Sequence, residues 1–88
     1  MSEKIVHQSD NHQFVINLGA AQALLTYEIL PSNTRLNNHS ICNFTHTFVP
    51  NELRGKGLAE KLVRHGIAWA KSQGLQLEAS CWYVQKFL

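Results

Sequence analysis

An apolar run long enough to cross a bilayer, roughly 20 residues, is missing from this 88-residue chain, and no signal-peptide core follows Met1-Ser2-Glu3-Lys4. The expectation is a soluble, cytoplasmic protein with no membrane partner. Cysteine is scarce: Cys42 and Cys81 lie far apart and fit neither a CxxC redox pair nor a zinc pattern, which leaves two free thiols. Charge of either sign is thin. Eight Lys plus Arg against six Asp plus Glu give +2, spread along the chain rather than gathered in a run, which argues against a nucleic-acid partner. There is no repeat, no low-complexity tract and no linker, so residues 1–88 form one domain. At this size roughly 60 to 65% of the unfolded surface is buried, a thin core.

The punctuation comes from Gly19, Pro31-Ser32-Asn33, Pro50, Gly55, Gly57 and Gly74. Between the first of these marks the period is that of strands. Phe14, Ile16 and Leu18 alternate with Val15 and Asn17, and Gln22 to Leu30 is rich in apolar and aromatic residues, so the two segments form a hairpin. Pro31 to Asn38 reads as a polar loop. Ile41 to Val49 is a third strand, with Phe44, His46 and Phe48 on one face and Thr45, Thr47 and Val49 on the other.

From Leu58 to Gln73 the period becomes helical. Ala59, Leu62, Val63, Gly66, Ile67 and Ala70 share a stripe, while Glu60, Lys61, Arg64 and Lys71 occupy the other face. Gly74 ends the helix, Leu75 to Ala79 alternates as a fourth strand, and Trp82 to Leu88 makes a short helical tail. Strand, helix and strand form a βαβ crossover that sets the third and fourth strands parallel. The result is an α/β (α+β) fold with a mixed sheet of about four strands.

Arg54-Gly55-Lys56-Gly57-Leu58-Ala59 sits between the third strand and the helix, where ligands of such sheets gather. The first amides of a helix have no intrahelical acceptor and the peptide dipoles make that end positive, so these six residues are an anion cradle. A Walker loop requires GKS or GKT at its end, and Gly57 is followed by Leu58; a dinucleotide fingerprint requires a third glycine where Glu60 stands. Arg54-x-x-Gly57-x-Ala59 instead resembles the acyl-CoA-binding signature of the GNAT superfamily of N-acetyltransferases. The likeness continues from His46 to Val63, through Gly74-Leu75 to Cys81, and over Gly19 to Glu28. Across most of its length the chain is similar to the minimal YjdJ-type subfamily, although Cys81-Trp82-Tyr83 stands where members often carry Cys-Pro-Phe.

The resemblance implies a minimal GNAT fold that binds acetyl-CoA or coenzyme A and passes the acetyl group to an amine not named by the sequence. Amides of Arg54, Gly55, Lys56, Gly57, Leu58 and Ala59 would hold the pyrophosphate, and the strand end at Phe48 and Val49 would pair with the pantetheine arm. Helix-terminus charge effects are worth about 0.3 to 2 kcal/mol against roughly 8 for micromolar affinity, so loop and strand are both needed. Arg54 and Lys56 either add charged contacts to phosphate or are ordinary solvated cations. His46 and Cys81 match the subfamily's paired positions, a base and a possible acetyl relay. Read from pattern alone, a cysteine here is as well a buried filler and the histidine a bonded core residue. Tyr83 is a candidate acid for the departing thiolate, or a packing residue. His7, His12, His39 and His65 show no metal spacing.

Larger members insert helices between their first two strands, whereas only the turn near Gly19 is available here, so the acceptor side is expected to be open or built by a partner. The thin core and the hairpin's edge would suit a homodimer. A non-catalytic CoA-binding or protein-interaction module of the same fold is the alternative.

Overall fold

The computed structural model describes residues 4–31 and 40–88. Its centre is a five-stranded sheet in which β1 (Ile5–Gln8), β2 (Gln13–Leu18), β3 (Ala21–Leu30), β4 (Ile41–Phe48) and β5 (Gln76–Ala79) lie side by side in chain order. From β1 to β4 each strand runs antiparallel to the next, and β4 and β5 run parallel. Helix α1 (Leu58–Ser72) makes the crossover between them, and the single turn of α2 (Trp82–Gln85) follows β5. Apart from Pro31, the loop expected over Pro31 to Asn38 lies outside the described residues.

The expected sheet of about four strands is corrected to five. Ile5 and His7 on β1 pair with Ile16 and Phe14, facing the core with them, while Val6 and Gln8 turn away. Four residues with a histidine on the inner face carry too little alternation to announce a strand. The correction also removes the free hairpin edge, because β1 covers β2 and the outer strands are β1 and β5.

Helix α1 buries Leu58, Leu62, Val63, Gly66 and Ala70, the stripe its period dictates, against Phe14, Ile16, Leu25 and Phe44 of the sheet. Fully burying an aliphatic or aromatic side chain of this kind is worth roughly 1.5 to 3 kcal/mol. Gly66 sets how closely helix and sheet approach: a Cβ there would lie 2.9 Å from Leu25 Cδ2 and 3.0 Å from Phe44 Cε1.

One irregularity in the sheet positions the site. The β3–β4 register shifts between Thr26 and Tyr27, so that Thr26 faces His46, Tyr27 faces Phe44, and Thr45 is the extra residue of a β-bulge. Its hydroxyl lies 2.7 Å from that of Thr26. Past the bulge the sides exchange. Phe44 packs in the core, and Thr47, opposite the buried Leu25, is on that same side, whereas His46 and the exposed Phe48 turn to the other face. The expected grouping of Phe44 with His46 and Phe48 is therefore corrected, since strict alternation fails at the extra residue.

Candidate active site

Strands β4 and β5 pair only from Ile41 with Gln76 to Phe44 with Ala79. The Phe44 carbonyl then accepts two amides, Ser80 at 3.0 Å and Cys81 at 3.2 Å, and beyond that point the chain after β5 turns into α2 while β4 continues. The bulge bends β4 at the residue after this last link. The strands thus part like a fork with Cys81 at its base. A cavity of about 500 Å³ opens there, lined from β4 by Thr45, His46 and Thr47 and from the other prong by Cys81, Trp82 and Tyr83. Val49, Arg54, Ala59 and Tyr83 also line a second cavity of about 230 Å³ that continues over Gly55, Gly57 and Leu58. The two spaces adjoin, sharing Val49, Arg54, Ala59 and Tyr83 between the glycine loop and Cys81.

The loop has the backbone its glycines permit. Gly55 and Gly57 have φ of 84° and 73°, a left-handed conformation that costs other residues roughly 1 to 2 kcal/mol. Gly57 is the N-cap of α1 and supplies no capping side chain. The first turn closes with the Lys61 amide on the Gly57 carbonyl at 3.1 Å, so the amides of Leu58, Ala59 and Glu60 have no acceptor within the helix. These amides and the positive helix end face the second cavity, the setting in which phosphates bind. The Leu58 side chain is buried in the core, so that residue offers its amide alone. Arg54 donates its Nε hydrogen to the Val49 carbonyl at 3.2 Å, tying the loop to the end of β4 while the rest of the guanidinium stays exposed. Phe48 and Lys56 line neither cavity.

The two thiols have opposite surroundings. Cys42 is fully buried, and burial pushes its thiol up to about 11, which makes it inert at neutral pH. For Cys81 burial acts in the same upward direction. The amides of Val84, Tyr83 and Thr47 and the Thr47 hydroxyl together outweigh it, and the thiol falls below its ordinary value. The Thr47 Oγ1 lies 3.6 Å from Sγ. His46 lines the cavity but is not among the groups acting on the sulfur.

The residues expected at the site thus line these two adjoining cavities, with the exceptions of Phe48 and Lys56. Sequence reasoning missed Thr47. Alternation puts it on the strand face away from His46, as the structure does, but no signal in the alternation says that this face meets Cys81; that follows from the bulge and from the turn at Ser80. Among the described residues, no group of three or more His, Cys, Asp and Glu is placed to hold a metal ion.

The GCN5-related N-acetyl-transferase family model matches residues 13–88. Protein NATD1 of Bos taurus is 29% identical to this chain over 87 residues, covering 97% of the chain and 71% of the cattle protein. The protein of the same name in Homo sapiens is 28% identical over 87 residues, with coverage of 97% and 71%. Among solved structures, a ribosomal-protein-alanine N-acetyltransferase from Brucella melitensis biovar Abortus 2308 superposes with a TM-score of 0.62 at 18% identity. The match covers 85% of this chain but only 58% of that protein, and the likeness is one of fold.

Proposed function

The chain belongs to the GCN5-related N-acetyltransferase family, and on that premise we propose that it takes the acetyl group of acetyl-CoA at the fork between β4 and β5 and delivers it to an amine through Cys81. The observation that carries this reading is that two adjoining cavities, with four lining residues in common, set a helix N-terminus suited to pyrophosphate beside a thiol of lowered pKa. Amides from Gly55 to Ala59 receive the phosphates, with Arg54 beside them. The pantetheine arm follows the parted edge of β4 past Val49. The fork is the natural space for an extended chain, because past Phe44 the second prong no longer pairs with β4.

The chemistry balances without a further reagent. The Cys81 thiolate adds to the thioester carbonyl, the carbon–sulfur bond to coenzyme A breaks, and the CoA thiolate leaves, taking a proton from solvent or from the Tyr83 hydroxyl. A neutral amine then adds to the S-acetyl carbon, and the Cys81 thiolate leaves as the amide bond forms. The proton lost by the amine passes to His46 or to water. A thiolate is a better nucleophile than a thiol, so the lowered Cys81 pKa serves the first step.

Intact-mass spectrometry after mixing with acetyl-CoA tests the relay. One acetyl group per chain is expected, absent in Cys81→Ala; equal acetylation of that variant sinks the relay. The separation of His46 from the groups that act on the sulfur favours a second reading, a module that binds coenzyme A without turnover. Calorimetry with CoA beside an amine panel separates them: binding without transfer to any amine selects the module, and no binding rejects both.

A further inference from the structure

Immediately after Cys81 the chain places two aromatic rings on the wall of the fork. Trp82 and Tyr83 stand with centroids 6.1 Å apart and planes at 87°, and both line the cavity that reaches the sulfur. Trp82 is 68% exposed, so most of its surface is not used in the core. One ammonium already lies against both rings: Lys86 Nζ is 4.5 Å from the Trp82 centroid and 5.5 Å from that of Tyr83. Two perpendicular rings with a cation against both are two walls of an aromatic cage, held by the negative faces of the π systems.

We infer that this corner is the acceptor subsite and that it receives an alkylammonium group, so that the acyl acceptor is a primary amine on a flexible alkyl stem. The inference rests on the acetyl-transfer reading for its place in the reaction, though the corner itself does not. Among the described residues, no carboxylate lines this cavity, while Arg54 lies toward the phosphate end. The π faces of Trp82 and Tyr83 attract cations rather than anions, and the cation beside them, Lys86, is already held against those faces. An ammonium held by rings rather than by a carboxylate also keeps no full ion pair, which would hold its proton and oppose the neutral form that attacks. Lys86 is not among the residues that line the cavity, but its ammonium rests against the same two rings. Four residues beyond Trp82, its side chain reaches back over the rings by the geometry of one helical turn, and it competes with an incoming amine.

The test follows the indole NH resonances of Trp69 and Trp82 by NMR, assigned with Trp82→Phe, while tetramethylammonium is titrated into the full chain without any acetyl donor. Trp82 is expected to shift and Trp69 to stay still. Lys86→Ala is expected to bind the cation about two- to five-fold more tightly, the range of an exposed cation–π contact. Uncharged tert-butanol is expected to leave the signal in place. A Trp82 resonance that does not move in either protein, or that moves equally with tert-butanol, overturns the inference. Failure of acetyl transfer alone leaves the binding result standing, so the two readings fail separately. A peptide carrying one trimethyl-lysine, titrated in parallel, distinguishes the sources: tighter binding than tetramethylammonium points to a protein side chain, and equal binding to a free amine.

Discussion

The Thr47 hydroxyl lies 3.6 Å from the Cys81 sulfur across 34 positions of sequence, brought there by a single extra residue in β4. Without the bulge at Thr45, the core-facing Phe44 would be followed by His46 on the same side, and Thr47 would face away. Thr26 helps hold the irregular residue, with its hydroxyl 2.7 Å from that of Thr45 and donating to the His46 carbonyl at 3.4 Å. The bulge therefore does two things at once: it breaks the regular alternation of β4 just past its last link with the second prong, and it turns a hydroxyl donor toward the thiolate.

Replacing that donor tests the relationship directly. In Thr47→Val, the Cys81 thiol loses a group that favours its charged form, so the pH profile of alkylation by iodoacetamide moves to higher pH. At neutral pH the rate is expected to fall roughly two- to ten-fold, the range of a single net hydrogen bond. Thr47→Ser keeps the hydroxyl and is expected to restore the profile, an outcome that a purely structural role for the threonine would not give. An unchanged profile in Thr47→Val would show that the backbone amides act alone.

Cys42 predicts a pH dependence of stability. Its thiol is raised in the folded chain from 9.0 to about 11, so the folded state holds the proton more tightly than the unfolded state does. The stability is whole below pH 9 and is lost as pH rises through the range from about 9 to about 11. Burial also raises the Tyr27 phenol, whose ordinary value is 10.0, and adds a loss in the same direction. The urea midpoint of the parent is thus expected to fall across this range more steeply than that of Cys42→Ala. Parallel curves would remove Cys42 as the cause. In the native parent at neutral pH, one thiol per chain should react with iodoacetamide, and it should be Cys81.

Regular elements were legible because each is specified by a repeated local preference. The α1 stripe from Leu62 to Ala70, the stop at Gly74 and the strand into Ala79 all stand close to where the period placed them. The glycine loop was legible as well, since its chemistry lies in consecutive residues. What escaped was non-local. His7 counts as polar in any pattern, yet it stacks on Phe14 at 4.2 Å, meets Trp69 edge-on at 4.6 Å and pairs with the Tyr27 hydroxyl at 2.6 Å, so the inner face of β1, which pairs with β2, packs on the core. The bulge depends on a match between Thr26 and Thr45 in different strands, and the corner of Trp82 and Tyr83 on the turn that follows Cys81. Neither carries a period.

Gly66 probes the close contact that sets the height of α1 over the sheet. Alanine is the better helix former by about 1 kcal/mol, but its methyl would press on Leu25 and Phe44, both fully buried, at 2.9 and 3.0 Å. Overpacking of this kind costs roughly 1 to 3 kcal/mol, so Gly66→Ala is expected to destabilise the fold by about 1 kcal/mol net. For a domain of this size that lowers the melting temperature by about 4 to 8 °C. A melting temperature at or above the parent's would mean that the two side chains give way without cost.

His46 separates proton transfer from thiol activation. It lines the cavity from the face of β4 opposite Thr47 and does not act on the sulfur, so its removal should leave the first chemical step intact. In His46→Gln, Cys81 is expected to alkylate with the parent's pH profile and to accept acetyl from acetyl-CoA as before. Transfer from S-acetyl-Cys81 to an amine is expected to slow by about 10²-fold or more, the usual contribution of a positioned base. The loss should shrink as pH rises toward the amine's own pKa, where the neutral nucleophile forms without help. If His46→Gln instead shifts the alkylation profile upward, the imidazole acts on the thiol and its role belongs to the first step rather than the second.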